Sequence, residues 1–578
     1  MKILKKLLLL TVLLPCLASA AEVSVERAGG TAAAFFGLNA TRGGSQLTLK
    51  WSRQTDSQQP AFYVFERQGG GFVIIAGDDV VEPVLGYSDN GEFILEGMPD
   101  NIRWWFDHLS GGIDHLRRTN AVATEHTAAL WRNPAPVSTR ADFSPTLMQT
   151  ANWSQESPYN DKCPLVNGRR PVTGCVATAA AIIMRYNEWP ERGKGVLEDY
   201  SYGNTTIKGY ALGHKYEWNK MPLDKVASAS QEEKDAIAQL MADCGVMSYM
   251  QYGVNASGAY VDDCHNGLLD HMDYDRSSYY CLKYGYSAEQ WKEMLRTSLN
   301  AKHPVLYEGV GKSGGHAFVL DGYDAQGKFH INWGWGGSLN GYFAFPDFDE
   351  FTDDHGAIFG LKKNEGGQPM DVIGMMEGRG LWFDNPSAAI SAGIPFRVYF
   401  GGVYNIGSTN FAGEIGIALS DRNDEIQQTW KAVELDEDDP LPTFYGWTQL
   451  SVNCTLAKKP ALGDKLIAYY RSTHDGVVRP VVYDSDTDIV GFLPIAAEYQ
   501  PLAANTSLEY KTASRTIIIT TLADVDWQLL LNGKAVQEGT TTNLGSFTIE
   551  TAELQAGTYT LVLTNTVESK EVKFKIGK

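Results

Sequence analysis

The sequence predicts an α+β chain of several domains: a small α+β unit, a larger mixed unit that carries the chemistry, and a β-rich remainder. Three observations predict it. The 578 residues suffice for about three to five domains. A composition of 43% hydrophobic and 20% charged residues belongs to a chain that builds packed cores and not to a disordered one. The texture also changes along the chain, from mixed helical and strand periods before about residue 365 to short β-rich runs after about 370.

Charge narrows the partners. Lys and Arg number 49 against 69 Asp and Glu, a formal charge of −20, so the basic footprint that phosphate contacts require is missing and nucleic acid is excluded as a default partner. At the N-terminus, Lys2, Lys5 and Lys6 form a positive region, Leu7 to Leu14 an apolar one, and Ala18-Ser19-Ala20 a small-residue cleavage site before Ala21. Residues 1–20 therefore read as a secretory signal peptide. Cys16 raises lipid attachment, but Pro15 stands where a small residue is expected and Ala-Ser-Ala offers the better cut. No later segment is apolar for the roughly 20 residues a spanning helix needs, so an exported protein without an integral membrane segment is expected.

Beyond the signal remain Cys163, Cys175, Cys244, Cys264, Cys281 and Cys454, too sparse for a disulfide scaffold. Cys244, Cys264, His265 and Cys281 lie close together but lack paired C-x-x-C knuckles, so buried thiols or one disulfide are expected, with no metal and no other cofactor. The runs Asp347-Phe348-Asp349-Glu350 with Asp353-Asp354, and Asp436-Glu437-Asp438-Asp439, lack the spacing of a calcium loop and read as solvated acidic loops.

Residues 22 to about 130 form the small unit. Phe62 to Arg67 and Phe72 to Ala76 are strand-like runs around the turn Gln68-Gly69-Gly70-Gly71, which predicts a hairpin. After Pro99-Asp100, the run Asn101 to Leu109 has helical apolar spacing behind an N-cap, and its Trp104-Trp105 pair is expected in a core. Residues 133 to 146 carry three prolines and read as a linker open to proteolysis. The larger unit follows to about 365, with helical runs at Ala177 to Tyr186 and Gln231 to Asp243 and strands at Ala317 to Leu320 and Phe329 to Asn332. Ile517 to Ile519, Trp527 to Leu531, Phe547 to Ile549 and Tyr559 to Leu563 then predict β-sandwich modules, split near 500.

The larger unit holds the chemistry. In Thr173-Gly174-Cys175-Val176-Ala177-Thr178-Ala179, Ala-rich sequence after Gly174 puts Cys175 at a helix N-terminus. Unsatisfied amides and the positive dipole end favour a thiolate there, the nucleophilic form; an inert packed cysteine is the bland alternative. Gly314-Gly315-His316-Ala317-Phe318-Val319 puts a histidine on the leading edge of a strand, 141 residues later. A cysteine near the start of a domain with its histidine some 130–150 residues on is the papain-like arrangement. The imidazole would draw the thiol proton and return it to the leaving amine. One strand later, Asn332 would orient that imidazole, with Trp333 or Trp335 shielding the bond. His330 shares a strand face with Asn332 and is a rival base; His316 is preferred because its glycines leave room for substrate. Gln155, 20 residues before Cys175, is a candidate oxyanion donor alongside the Cys175 amide. Gly174, Gly315 and Trp335 are expected to line the substrate.

Four motifs in order, Trp153-Ser-Gln-Glu-Ser-Pro-Tyr-Asn160, Thr173-Gly-Cys-Val-Ala-Thr-Ala179, Gly314-Gly-His-Ala-Phe-Val-Leu-Asp-Gly-Tyr323 and Asn332-Trp-Gly-Trp-Gly-Gly337, resemble the streptopain family of secreted bacterial cysteine peptidases. Upstream, Gly71 to Tyr87 resembles that family's inhibitory propeptide. The resemblance implies a papain-like catalytic domain over 141–365, a propeptide over 21–140 that inhibits its own enzyme, a Cys175–His316 dyad, Gln155 in the oxyanion role, and protein or peptide substrates. Residues 370–500 and 501–578 would follow as Ig-like β-sandwich modules. The last resembles sorting domains of the type IX export route, which would attach the protein to the outer surface.

Two other readings share some of these features. Peptidoglycan amidases also pair a helix-start cysteine with a strand histidine, and casein against muropeptide turnover separates them. A surface adhesin with a vestigial peptidase fold is disfavoured because all four catalytic positions carry competent residues.

Overall fold

The computed structural model describes residues 21–38, 46–133, 147–311, 314–345, 355–383, 390, 392–461, 463–495, 506–511, 516–521, 525–541, 545–550, 554–564 and 569–576. The signal peptide, the linker from 134 to 146 and the acidic run from Asp347 to Asp354 lie outside them. The chain divides into two compact units, residues 1–371 with 407–409, and 372–406 with 410–578.

In the first unit the N-terminal residues form α1 (Val25–Phe35), β1 (Leu47–Gln54), β2 (Pro60–Arg67), β3 (Phe72–Ala76), β4 (Val84–Ser88), α2 (Asp100–Arg118) and α3 (Glu125–Arg132). The expected hairpin is present, with Phe62 opposite Ala76 and Glu66 opposite Phe72. The Trp104 helix is also present, but Pro99 holds its cap position without a side-chain hydrogen bond. A proline there gives up nothing, since the first amides of a helix lack intrahelical partners anyway.

The larger part follows as α4 (Cys175–Asn187), the hairpin β5 (Tyr200–Tyr202) and β6 (Thr205–Ile207), α5 (Gln231–Met247), α6 (Val261–His271), β7 (Tyr279–Leu282), α7 (Ala288–Asn300), β8 (Val305–Gly311), β9 (Gly314–Tyr323), β10 (Phe329–Asn332), β11 (Gly341–Phe343) and β12 (Gly356–Phe359). α4 is buried from Val176 to Met184. A helix apolar all round belongs in a core, and alanine and isoleucine dominate this one for that reason. α5 starts in a reciprocal capping box, Ser230 with Glu233.

One ten-stranded sheet, in the order β1-β2-β3-β4-β11-β10-β9-β8-β12-β7, joins both parts. At the seam Tyr87 lies opposite Tyr342 and Gly86 opposite Phe343. The rings of Tyr87 and Tyr342 stack at 5.1 Å, and the Tyr87 hydroxyl donates to Asp324 Oδ2 at 3.0 Å. Gly86 has no room for a side chain, because a Cβ would stand 2.6 Å from the Phe343 ring. Pairing an edge strand removes a row of exposed backbone groups, so the N-terminal part is docked by backbone bonds as well as by packing.

A buried carboxylate ties the 188–217 segment, which carries the β5–β6 hairpin, to α5. Asp243 is fully buried and accepts from the Tyr210 hydroxyl (2.9 Å), the Tyr216 hydroxyl (2.7 Å) and Gln239 Nε2 (2.9 Å). Asp243→Ala would strand the buried Tyr216 hydroxyl and the half-buried Tyr210 hydroxyl, and we expect it to lower the unfolding free energy by about 3–5 kcal/mol in denaturant titration.

The second unit is built from strands among its described residues. One core gathers Ile373, Val398, Ile415, Ile417, Leu466 and Tyr470. A second gathers Ile519, Leu529, Ile549, Tyr559 and Leu563, so the four β-rich runs read from the sequence beyond 500 all fall in strands.

Candidate active site

Cys175 is the first residue of α4, behind Gly174 at φ 89°. That conformation favours glycine, and a Cβ at Gly174 would also collide with the Met250 side chain at 2.7 Å. The turn is braced from below: the hydroxyls of Thr173 and Thr178 share a bond at 2.7 Å, and Thr178 Oγ1 donates to the Gly174 carbonyl at 2.9 Å. Gln155 is buried at 4% exposure, and its carbonyl accepts from the Thr173 amide at 3.0 Å. The structure thus brings Gln155 to the residues immediately before Cys175.

β9 supplies the histidine. His316 lies opposite Gly309 of β8, and the next residue, Ala317, turns its amide to the Cys175 sulfur. A depressed thiol pKa is the expectation for a helix start; the full-length chain has the reverse. Desolvation by the surrounding protein pushes the Cys175 thiol up, against the amides of Ala317, Val176 and Cys175 that favour the thiolate, and the Glu308 carboxylate adds to the rise. The helix N-terminus works as expected, but the covering protein outweighs it.

α2 contributes to that cover. The Trp104 ring lies 6.4 Å from the His316 ring and 5.7 Å from that of His355, and Gly309 admits it only because a Cβ there would stand 2.4 Å from Trp104 Cη2. Trp105 packs edge-on against Phe343 at 4.8 Å and reaches Trp333 at 6.5 Å. The indole nitrogens of Trp104 and Trp105 are buried with no hydrogen-bond partner among the described residues. The tryptophan pair is core, as expected, but the core is the contact between the N-terminal part and the site.

His108 of α2 packs on Trp104 and His355 at 5.4 and 5.5 Å. Burial, with the Lys283 ammonium adding to it, pushes its pKa down to about 4 from 6.5. The docked state therefore favours neutral His108. Its contribution is complete above pH 6.5 and is lost as pH falls towards about 4, on the order of 3 kcal/mol. We expect a Cys175→Ala chain, cut in the linker by an added protease, to release its N-terminal part on gel filtration at about pH 4 but not near neutrality. His108→Gln should remove that step.

The remaining predicted residues fall as follows. Trp333 is buried and donates from Nε1 to the Leu339 carbonyl at 3.1 Å, packing on Phe318 at 5.0 Å. Trp335 is half-buried and Gly315 is exposed. Asn332 donates from Nδ2 to Thr150 Oγ1 and to the Ala151 carbonyl, both at 2.9 Å, and its Oδ1 accepts from the Gly334 amide at 3.1 Å. These bonds fix the loop after β10; none goes to the His316 imidazole. The rival base His330 donates from Nδ1 to Asp321 Oδ1.

The six cysteines among the described residues are free, and five of them are buried. His265 engages the hydroxyls of Ser408 and Ser278 through its two ring nitrogens. Sequence reasoning missed His355, Thr150 and the Asp321 partner of His330; Asp321 stands within the Gly314–Tyr323 motif, but nothing in the motif marks it as the partner of His330.

Comparison with known proteins agrees with this geometry. Residues 153–343 match the model of the peptidase C10 family, and residues 20–113 match that of the Spi protease inhibitor. The thiol protease/hemagglutinin PrtT of Porphyromonas gingivalis is 33% identical over 356 residues, 58% of this chain and 40% of the relative. Streptopain of Streptococcus pyogenes is 31% identical over 301 residues, 49% of this chain and 73% of that protein. This chain thus spans less than half the length of the first relative and about three quarters of the second. A solved fragment of prointerpain A from Prevotella intermedia, a cysteine-to-alanine mutant, is 30% identical and aligns over 55% of this chain and 98% of its own, with a TM-score of 0.46. A catalytic-type cysteine at a helix start, a histidine strand beside it and an inhibitor-like part packed against that histidine thus coincide with matches to two family models, and the chain belongs to the peptidase C10 family of cysteine peptidases.

Proposed function

We propose that the protein is a secreted cysteine endopeptidase made as a zymogen, cleaving protein substrates through a thioester on Cys175. One observation carries the reading: the Cys175 sulfur, at the start of α4, meets the Ala317 amide next to His316 beneath Trp104. In the processed enzyme His316 takes the thiol proton, and the thiolate attacks the scissile carbonyl. The Cys175 amide and the Gln155 side chain receive the developing oxyanion. His316 then protonates the leaving amine; next it deprotonates the water that cleaves the thioester and restores the thiol. Asn332 and Trp333 hold the strand end beside the imidazole, and Gly174, Gly315 and Trp335 border the substrate.

The zymogen reading assigns residues 1–20 to the signal, 21–140 to an inhibitory propeptide and 141–365 to the peptidase. Residues 370–500 and 501–578 are two Ig-like β modules, the last serving export and attachment at the cell surface. The α2 contacts on His316 support inhibition by cover. The test is hydrolysis of casein and of muropeptides by the secreted chain under reducing conditions, before and after an added protease cuts the linker. Casein turnover that appears on cutting and stops on thiol alkylation supports the proposal; turnover of muropeptides alone would replace it with an amidase.

A further inference from the structure

His330 is the histidine that the dyad does not use, and its surroundings give it a different task. It donates to Asp321 Oδ1, and Thr150 Oγ1 donates to Asp321 Oδ2. Asp321 is 2% exposed, and its main-chain carbonyl also accepts from the Met148 amide at 2.8 Å. Thr150 in turn accepts from Asn332 Nδ2. Three segments that reach the site therefore meet on one buried carboxylate. The first is the run without regular secondary structure that begins at Met148 and leads to Gln155. The second is β9, which carries His316 and Asp321 itself. The third is the end of β10.

The connection continues towards Cys175. Asn332 Oδ1 holds the Gly334 amide, and a Cβ at Gly334 would stand 3.1 Å from Thr178 Cγ2. Thr178 holds the Gly174 carbonyl, and the Gly336 amide donates to the Trp153 carbonyl at 2.8 Å. A buried network satisfied at every member specifies one arrangement of the parts it joins, and misplacing reacting groups by about 1 Å can cost on the order of 100-fold in rate.

We propose that Asp321, with His330 and Thr150 as its donors, is the positioning group of this peptidase, fixing Gln155, His316 and the β10 loop in mutual register. The proposal rests on the peptidase reading, with His330 acting through Asp321 and not on substrate. A carboxylate is required because two side-chain donors arrive on its two oxygens. An amide offers one acceptor oxygen, and its NH2 group would face the other donor. For His330 a side-chain amide suffices, since only one N–H is needed at Asp321.

The test uses processed enzyme from the full chain, with active sites counted by alkylation of Cys175. Asp321→Asn and Thr150→Val should each lower kcat by about 10- to 100-fold with KM within about twofold and a thermal midpoint near that of wild type. His330→Gln should keep turnover within about threefold, while His330→Ala falls with Asp321→Asn. Wild-type kcat per titrated site in Asp321→Asn, or a loss that only tracks its thermal midpoint, would overturn the proposal. So would abolition of turnover in His330→Gln, which would make His330 the base. If the wild-type chain hydrolyses no peptide, the peptidase reading itself fails, and positioning is read from Cys175 alkylation. Asp321→Asn should then slow alkylation about tenfold, and an unchanged rate overturns the claim.

Discussion

Cys175→Ala should leave the chain unprocessed and reduce peptide hydrolysis by at least about 10⁴-fold, to the level left by binding and the oxyanion donors alone. The expectation follows from the absence of a substitute. The other five cysteines among the described residues are buried, and desolvation pushes the thiols of Cys163 and Cys264 up to about 12, where almost no thiolate forms at neutral pH. The N-terminal part should persist on a gel for the variant and disappear for wild type. If Cys175→Ala is processed at the wild-type rate in purified form, another group cuts the linker; if it also hydrolyses casein, Cys175 is not the nucleophile.

Gln155→Ala should lower kcat by about 100- to 1000-fold with little change in KM, because an oxyanion donor acts on charge that exists only in the transition state. Its carbonyl holds the Thr173 amide, a backbone bond the substitution keeps, so the loop before Cys175 should stay in place. Gln155→Glu is the sharper variant: it keeps the size and puts a negative charge where one develops. It should be at least as impaired as Gln155→Ala in steady-state kinetics, and near-wild-type turnover in either would remove Gln155 from the mechanism.

Much of the site was legible in the sequence because its parts are local. Alanine-rich sequence behind a glycine makes a helix start wherever it folds, so Cys175 was placed within a residue. The glycine-flanked run at His316 reads as a strand for equally local reasons. What was not legible depends on pairing across long separations. Nothing in Gly86-Tyr87 announces a partner at Tyr342-Phe343, and strand alternation placed His330 and Asn332 on one face without showing that Asp321 and Thr150 would link them. The same limit reversed the expected Cys175 shift. The helix N-terminus is visible in the sequence; the protein packed over it is not.

The central claim is that Cys175 and His316 form a reactive pair which the full-length chain silences by cover. The most direct measurement is the rate of Cys175 alkylation by iodoacetamide against pH, for the full-length chain, the processed enzyme and processed His316→Ala. The account predicts slow labelling of the full-length chain near neutrality. The processed enzyme should label fast, with reactivity that persists well below pH 8.5, the ordinary thiol midpoint at about that value. His316→Ala should restore the ordinary midpoint. A processed enzyme that titrates like a free cysteine, or a full-length chain that reacts as fast as the processed one, would contradict it.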